Sequence, residues 1–425
     1  MYFLPRLTFS KMRTYKYALA LTSQLPFCST PLRLDAYNKC QFSCAFCFAK
    51  ARGGNSDAKG VQFASASALR ARLNRVQSGD VRNAIDEFLQ RRVPLQFGGM
   101  NDPFSPWELK YGVGLELLKV LADFKYPTLI STKSVVPAES DYLAVLRSGN
   151  FYVRVSFTGA SIETSQKLEL LVPEWGERRR LIQGLSNAGV AVSIRLQPLV
   201  FGDEESLVEL LGLLANDGAK HVSAEYLKWP IESSSKEFGR LNSLLPGMLD
   251  KYFELGAKKI GREYVLPPEV KLPNLVELKH RVDELGMVFG FAETELLHLN
   301  PYQSCCNAAD RFLEDCNPFE GTFTSIIKEG GEEEIRLPQP LKKWLPQYSV
   351  FSHLNSRSRP AQTGDTPAER YQKMLRDKWN SKDWRGGPLS YWGIESSSSS
   401  DKNGNQVYLR APELRQLLEK NNLNA

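Results

Sequence analysis

Three cysteines stand within eight residues, Cys40-Gln41-Phe42-Ser43-Cys44-Ala45-Phe46-Cys47, in the spacing C-x3-C-x2-C. Thiolates are soft, deprotonated ligands, and at this spacing they can wrap one face of a small inorganic cluster. Three thiolates on a cubane of four irons leave one iron without a protein ligand. An open metal position is what chemistry needs, because a substrate or cofactor must occupy it. Two plainer readings stand beside this one. A structural zinc knot wants four ligands in paired halves, yet no cysteine or histidine follows Cys47 until His221. Three buried core thiols are the other.

The segments around the loop extend the pattern. They are Leu34 to Ala49 (LDAYNKCQFSCAFCFA), Gly98 to Glu108 (GGMNDPFSPWE) and Ile130 to Ser134 (ISTKS). Arg154 to Gly159 (RVSFTG) and Arg178 to Leu199 follow. On these blocks the chain resembles the radical S-adenosylmethionine superfamily, and most closely its spore photoproduct lyase-like branch. The likeness runs from about residue 30 to about residue 230. It implies a partial barrel, a [4Fe-4S] cluster on Cys40, Cys44 and Cys47, and bound S-adenosylmethionine. It also implies an external electron donor of flavodoxin or ferredoxin type.

Other residues gain roles beside that loop. Gly98 and Gly99 follow a strand, where glycine lets a ligand approach the backbone. In the superfamily the matching turn takes the amino group of S-adenosylmethionine, and here Asn101 and Asp102 are acceptors for it; the same residue types also make an ordinary turn. Lys133 can meet the methionine carboxylate as a point charge, or lie on a solvated rim. Thr132, with Ser131 and Ser134, can reach ribose or carboxylate. Ser156 and Thr158 can do the same or cap the next helix. Arg195 and Gln197 share a strand face by period two, with Glu225 available as a partner for the arginine. Tyr302, Cys305, Cys306 and Cys316, near His298, are open between a second metal site, a redox thiol and inert thiols.

One departure from the branch bears on the reaction. The photoproduct lyases return a hydrogen atom from a cysteine inside the barrel. This chain has no cysteine between Cys47 and Cys305. A modified thymine or other pyrimidine in DNA is the substrate the resemblance implies, and a rearrangement needs no returned cysteine hydrogen. A peptide or small metabolite is the competing substrate class. A metal-stabilised nucleic-acid-binding module is the non-enzymatic alternative.

The elements that must position these residues are read from periodicity. Strands are expected at Leu32–Asp35, Pro94–Phe97, Pro127–Ser131, Phe151–Phe157, Val190–Pro198 and His221–Leu227. Helical spacing falls at Asp80–Arg92, Leu115–Phe124, Glu139–Leu146, Glu174–Ala188 and Asp203–Ala215. A further helix, Leu275–Leu285, and strand, Met287–Ala292, extend the series. Alternating βα units with short connections predict a parallel sheet closed as a partial (β/α)6 TIM-type barrel. In such folds ligands gather at the C-terminal ends of strands, where every block above falls. Residues 1–30 read as an N-terminal extension, 31–299 as the barrel and 300–425 as an appended region. That last region is partly loop-like, with a helix at Ala368–Trp379 and a flexible serine run at Ser396–Ser400. Trp379, Trp384, Tyr391 and Trp392, interleaved with Arg376, Lys378, Lys382 and Arg385, offer stacking and basic character for a nucleic acid, or an amphipathic packing face.

Composition bounds the rest. The chain has 425 residues and a formal net charge of +6, compatible with an anionic partner without requiring one. No apolar run nears the roughly 20 residues of a membrane span. No signal peptide is read at Met1 to Pro26, and seven cysteines with three in a ligand loop point to a reducing, cytoplasmic setting.

Overall fold

The computed structural model describes residues 13–51, 60–231, 235–331, 334–338, 344–354, 366–383 and 386–420. Its main sheet has eight strands: β1 (Leu19–Leu21), β2 (Leu32–Leu34), β3 (Leu95–Phe97), β4 (Thr128–Thr132), β5 (Phe151–Gly159), β6 (Ala191–Leu199), β7 (His221–Tyr226) and β8 (Val288–Phe291). Their order in the sheet is their order in the chain. The pairs β4–β5, β5–β6 and β6–β7 are parallel. The architecture is therefore mixed α/β around a large sheet, as expected, with eight strands where six βα units were anticipated.

Two compact units divide the chain. One comprises Met1–Leu19, Arg33–Ala71 and Gln96–Phe289; the other comprises Ala20–Leu32, Arg72–Leu95 and Gly290–Ala425. Within the first, register and period two sort the central strands into two faces. Val153, Val155 and Phe157, Val192, Ile194 and Leu196, Val222 and Ala224 share an apolar face, and all are buried. The helix Trp175–Asn187 packs on β5 and β6, and the helix Pro268–Glu284 on β7. The opposite face is polar. Ser131, Arg154, Ser193 and His221 are register partners in one row across four strands. Within that row the Arg154 guanidinium donates to the Ser131 hydroxyl at 2.9 Å, and Ser193 Oγ meets His221 Nδ1 at 2.7 Å. Parallel strands buried equally on both sides are near-continuously apolar. The alternation here marks one face as a polar wall.

Local sequence fixes the ends of the helices. Trp175–Asn187 starts at a capping box, where Glu174 and Glu177 satisfy each other's backbone donors. It is closed by Gly189 at φ +78°. The helix expected at Leu275 begins earlier, at Pro268, because proline at the first helical position loses no hydrogen bond. Residues Asp203–Ala215 form a short 3-10 turn, Glu204–Ser206, before the helix Leu207–Asn216.

The second unit corrects one expectation and decides between two others. The serine run is ordered: Ile394–Ser400 is a strand, paired antiparallel with Gln406–Arg410, with a register shift between Ser396 and Ser400. Pairing to a strand that buries Val407 and Tyr408 overrides the flexible composition. The helix Pro367–Trp379 forms as expected, led by a Thr366–Glu369 capping box. Its Trp379 and the nearby Tyr391 are buried in this unit's own core. Trp379 donates to the Gln406 carbonyl at 2.7 Å and packs edge-on against Tyr408. These rings are packing residues, not a stacking platform for bases. Trp384 and Arg385 lie outside the described residues.

No helix among the described residues is long and apolar enough to cross a membrane.

Candidate functional site

The cysteine loop leaves β2 and is pinned in two ways. Ser43–Cys44 forms a two-residue antiparallel ladder with Glu169–Leu170, in which Cys44 faces Glu169. The Ala45 N–H extends it to the Leu168 carbonyl at 2.8 Å, and the Arg240 guanidinium grips the Ser43 carbonyl at 2.9 Å. Cys44 is buried, while Cys40 and Cys47 are half-buried. A short helix, Phe48–Ala51, starts directly after Cys47.

The turn after β3 meets this loop. Gly98 takes φ +90°, and its N–H donates to the Leu34 carbonyl of β2 at 2.9 Å. A Cβ there would lie 2.6 Å from the Ser131 carbonyl oxygen, so the position requires glycine. Asp35 at the end of β2 accepts the backbone N–H groups of Met100, at 2.8 Å, and Asn101, at 3.3 Å. Asn101 then donates its side-chain amide to the Tyr37 carbonyl. Tyr37 in turn donates to Glu108, which also accepts from Tyr142 and from the backbone of Gly114 and Leu115. The result is a held amide whose Oδ1 is buried without a hydrogen-bond partner. A buried acceptor left open costs free energy until a donor reaches it.

Asp102 is engaged differently. Its carboxylate accepts the Thr132 hydroxyl at 2.8 Å, the Phe104 N–H at 3.0 Å and the Lys133 N–H at 2.6 Å. Burial raises its pKa to about 6 despite these donors. Its role is to tie the turn to the end of β4. The Asp102 backbone N–H also donates to the Cys40 sulfur, joining the turn to the cysteine loop. Burial first, then the nearby Asp102 and Cys44 charges, push the Cys40 thiol pKa up.

At the end of β4 the Lys133 ammonium contacts the Glu169 carboxylate and sits over the Phe46 ring, 5.5 Å from its centroid. Glu169 also binds Arg178 at 2.7 Å. Burial works to raise the Glu169 pKa, but Lys133 and Arg178 outweigh it and hold the carboxyl at about 2. Arg178 donates to the Ser156 carbonyl at 2.6 Å. Further along the polar wall, Arg195 donates to Gln197, Gln197 donates to Glu225, and Arg195 lies 3.7 Å from Glu225. Lys228 closes that network on Glu225. The partner expected for Arg195 is thus in place.

Sequence reading placed Cys40, Cys44, Cys47, Gly98, Gly99, Asn101, Asp102, Thr132 and Lys133; the structure links Cys40, Asp102, Thr132 and Lys133 directly, joins Cys44 to Lys133 through Glu169, and sets Gly98 and Asn101 in the same turn. Ser156 enters through its backbone, and Gln197 belongs to the Arg195–Glu225 network. Glu169 and Arg178 were missed as site residues. Glu169 follows the helix Ile162–Leu168, whose signal is the Ser161 cap on the Thr164 N–H.

Do the residues suit the cluster? Among the described residues no three His, Cys, Asp or Glu side chains gather on a single metal ion. Zinc needs such convergence. A cubane does not, since each thiolate takes a different iron. All seven cysteines are thiols rather than disulfides. The soft donor set, the open Asn101 acceptor and the glycine turn all fit a cluster with an amine-bearing ligand beside it.

The second cysteine group gains no support as a metal site, because its thiols answer to different neighbours. Cys305 is buried, with Ser29 Oγ at 3.2 Å and Lys328, Cys306 and Cys28 as its charged or thiol neighbours. Cys316 answers instead to Asp310, Asp315 and Arg92. His298 stacks edge-on against Tyr391, and burial pushes its pKa down to about 3.

No protein-family model matches the chain, and no curated protein matches it. Solved structures do. A cysteine-to-alanine variant of spore photoproduct lyase superposes with a TM-score of 0.53 at 13% identity, over 66% of this chain and 82% of that one. A form of that variant with dinucleoside spore photoproduct gives 0.52 at 13% identity, over 66% and 81%. A double variant with bound AdoMet and the same dinucleoside gives 0.51 at 13% identity, over 65% and 80%. Across two thirds of its length, this chain has the fold of spore photoproduct lyase.

Proposed function

We propose that the chain is a radical S-adenosylmethionine enzyme. The observation that carries this reading is the junction of Cys40 with Asp102, which sets a three-thiolate loop against a glycine turn bearing an open buried acceptor. Cys40, Cys44 and Cys47 would hold a [4Fe-4S] cluster. Bound there, the cluster and S-adenosylmethionine supply reductive cleavage of the sulfonium and hydrogen-atom abstraction from substrate.

The chain's own residues bind and orient. Gly98 and Gly99 shape the turn that presents the ligand groups, packed closely on Ser131 and Arg33, and Asn101 Oδ1 takes the α-amine. Lys133 faces the α-carboxylate. Thr132 and Asp102 fix the turn that presents these groups. Ser156 and Gln197 line the polar wall toward the adenosine or the substrate. The electron donor is external, of flavodoxin or ferredoxin type, and the setting is a reducing cytoplasm.

The substrate we propose is a modified pyrimidine in DNA or a nucleotide. Support comes from the fold shared with a lyase crystallised with a dinucleoside spore photoproduct. With no cysteine between Cys47 and Cys305, the reading is a rearrangement rather than repair by a returned cysteine hydrogen.

Anaerobic reconstitution tests the enzyme. Iron and sulfide, a reduced-state EPR signal and 5′-deoxyadenosine formed with dithionite are expected; a zinc-stabilised nucleic-acid module would give none of them. Deuterium from labelled thymidine in DNA should enter 5′-deoxyadenosine. Its absence, with deuterium entering from a peptide or small metabolite instead, would move the substrate to that class.

A further inference from the structure

Glu169 is tied into the site twice. Its backbone is the ladder partner of Cys44, so it sets the register of the cysteine loop. Its carboxylate is divided between two cations, with Oε1 on the Lys133 ammonium and Oε2 on Arg178 at 2.7 Å. The two cations are not equivalent. Arg178 is held by the Ser156 carbonyl at 2.6 Å, by Glu169 and by the face of Phe157, 4.6 Å from its guanidinium, and its side chain is 2% exposed. Lys133 is 13% exposed and ends a flexible four-carbon stem. Its backbone is fixed by Asp102, but its ammonium is placed by Glu169 and the Phe46 ring.

We infer that Glu169 is a positioning residue that aims the Lys133 ammonium at a ligand carboxylate beside the cysteine loop. This rests on the reading that Lys133 faces such a carboxylate. An ammonium has three donors. One engaged by Glu169 leaves capacity for a second carboxylate, so the ligand shares Lys133 without displacing Glu169. Phe46 belongs to the loop itself, and its ring fixes the side from which the ammonium approaches. Without the glutamate charge, the lysine stem relaxes toward solvent and the ligand must order it on binding.

The test is calorimetric binding to the anaerobically reconstituted protein. S-adenosylhomocysteine carries the carboxylate; 5′-methylthioadenosine lacks it. Glu169→Gln and Lys133→Met should each weaken the first ligand about tenfold and change the second by less than about twofold. The double variant should be no weaker than Lys133→Met alone, since both changes remove one interaction. Glu169→Asp keeps a charge opposite Arg178 and shortens the reach to Lys133, so it carries the same test if Glu169→Gln does not fold; the same selective loss is expected. Equal weakening of both ligands, or an unchanged affinity for S-adenosylhomocysteine in a folded variant, would overturn the inference alone. Wild-type protein that binds neither ligand would overturn the enzyme reading, and this inference with it.

Discussion

Asp102 accepts the backbone N–H of Lys133 at 2.6 Å, so the turn that leaves β3 is fastened to the residue that ends β4. The same carboxylate holds Thr132, and its own backbone N–H reaches Cys40. Three segments far apart in the chain thereby share one anchor.

Glycine at the head of that turn is a steric requirement. Gly98→Ala must adopt φ +90° with its Cβ 2.6 Å from the Ser131 carbonyl oxygen and 2.7 Å from Pro103 Cδ. Neither neighbour is the far end of a flexible side chain. We expect a loss of about 2–3 kcal/mol, read as a lower Tm with the iron content per folded molecule reduced. An unchanged Tm would show that the turn is not under this constraint.

Asn101→Leu keeps the branched outline but is bulkier, and removes both the open acceptor and the donation to the Tyr37 carbonyl. A ligand carrying an α-amine should bind about tenfold or more weakly, while its des-amino analogue binds as before. Iron content should not change. Equal affinity of the variant for both would assign the amine to another residue.

The two cysteine groups should separate by metal analysis. Cys44→Ala should lose most of the bound iron while keeping its far-UV circular dichroism. Cys316→Ala should keep wild-type iron, since its thiol lies among Asp310, Asp315 and Arg92 rather than beside the other thiols. Iron retained in the first variant or lost in the second would reverse the assignment.

His298 makes the second unit acid-sensitive. Burial holds its folded pKa at about 3, with Arg410 and Lys328 adding to the effect. The unfolded chain takes up a proton near pH 6.5 and the folded chain does not. Stability is therefore full above pH 6.5 and falls by about 1.4 kcal/mol per unit as pH drops toward 3. Urea midpoints at pH 7, 6 and 5 should decline for wild type and decline less steeply for His298→Phe. Parallel declines in the two proteins would remove His298 from the account.

Much of the scaffold was legible because its signals are local. Period-two runs at Phe151–Gly159 and Ala191–Leu199, and a glycine stop at Gly189, fall within single elements. The cysteine spacing and the Gly98–Asp102 turn were legible for the same reason. Glu169 was not, because its importance comes from pairing with Cys44, 125 positions away (169 − 44), and from two cations on other elements. The helix that ends at Trp379 was legible from its own spacing. Whether the aromatic rings near its end faced bases or core depended on the strand Gln406–Arg410, which the helix's own sequence does not specify.

The central strands keep two kinds of side chain in strict alternation, and that separates two kinds of evolutionary freedom. Substitutions at Ser156, Arg195, Gln197 or Ser223 change the polar face without touching the apolar face on which the helices pack. Insertion or deletion of one residue would exchange the two sets at a stroke. A lineage built on this framework is free to change its polar face by point replacement, and is barred from doing so by changes in strand length.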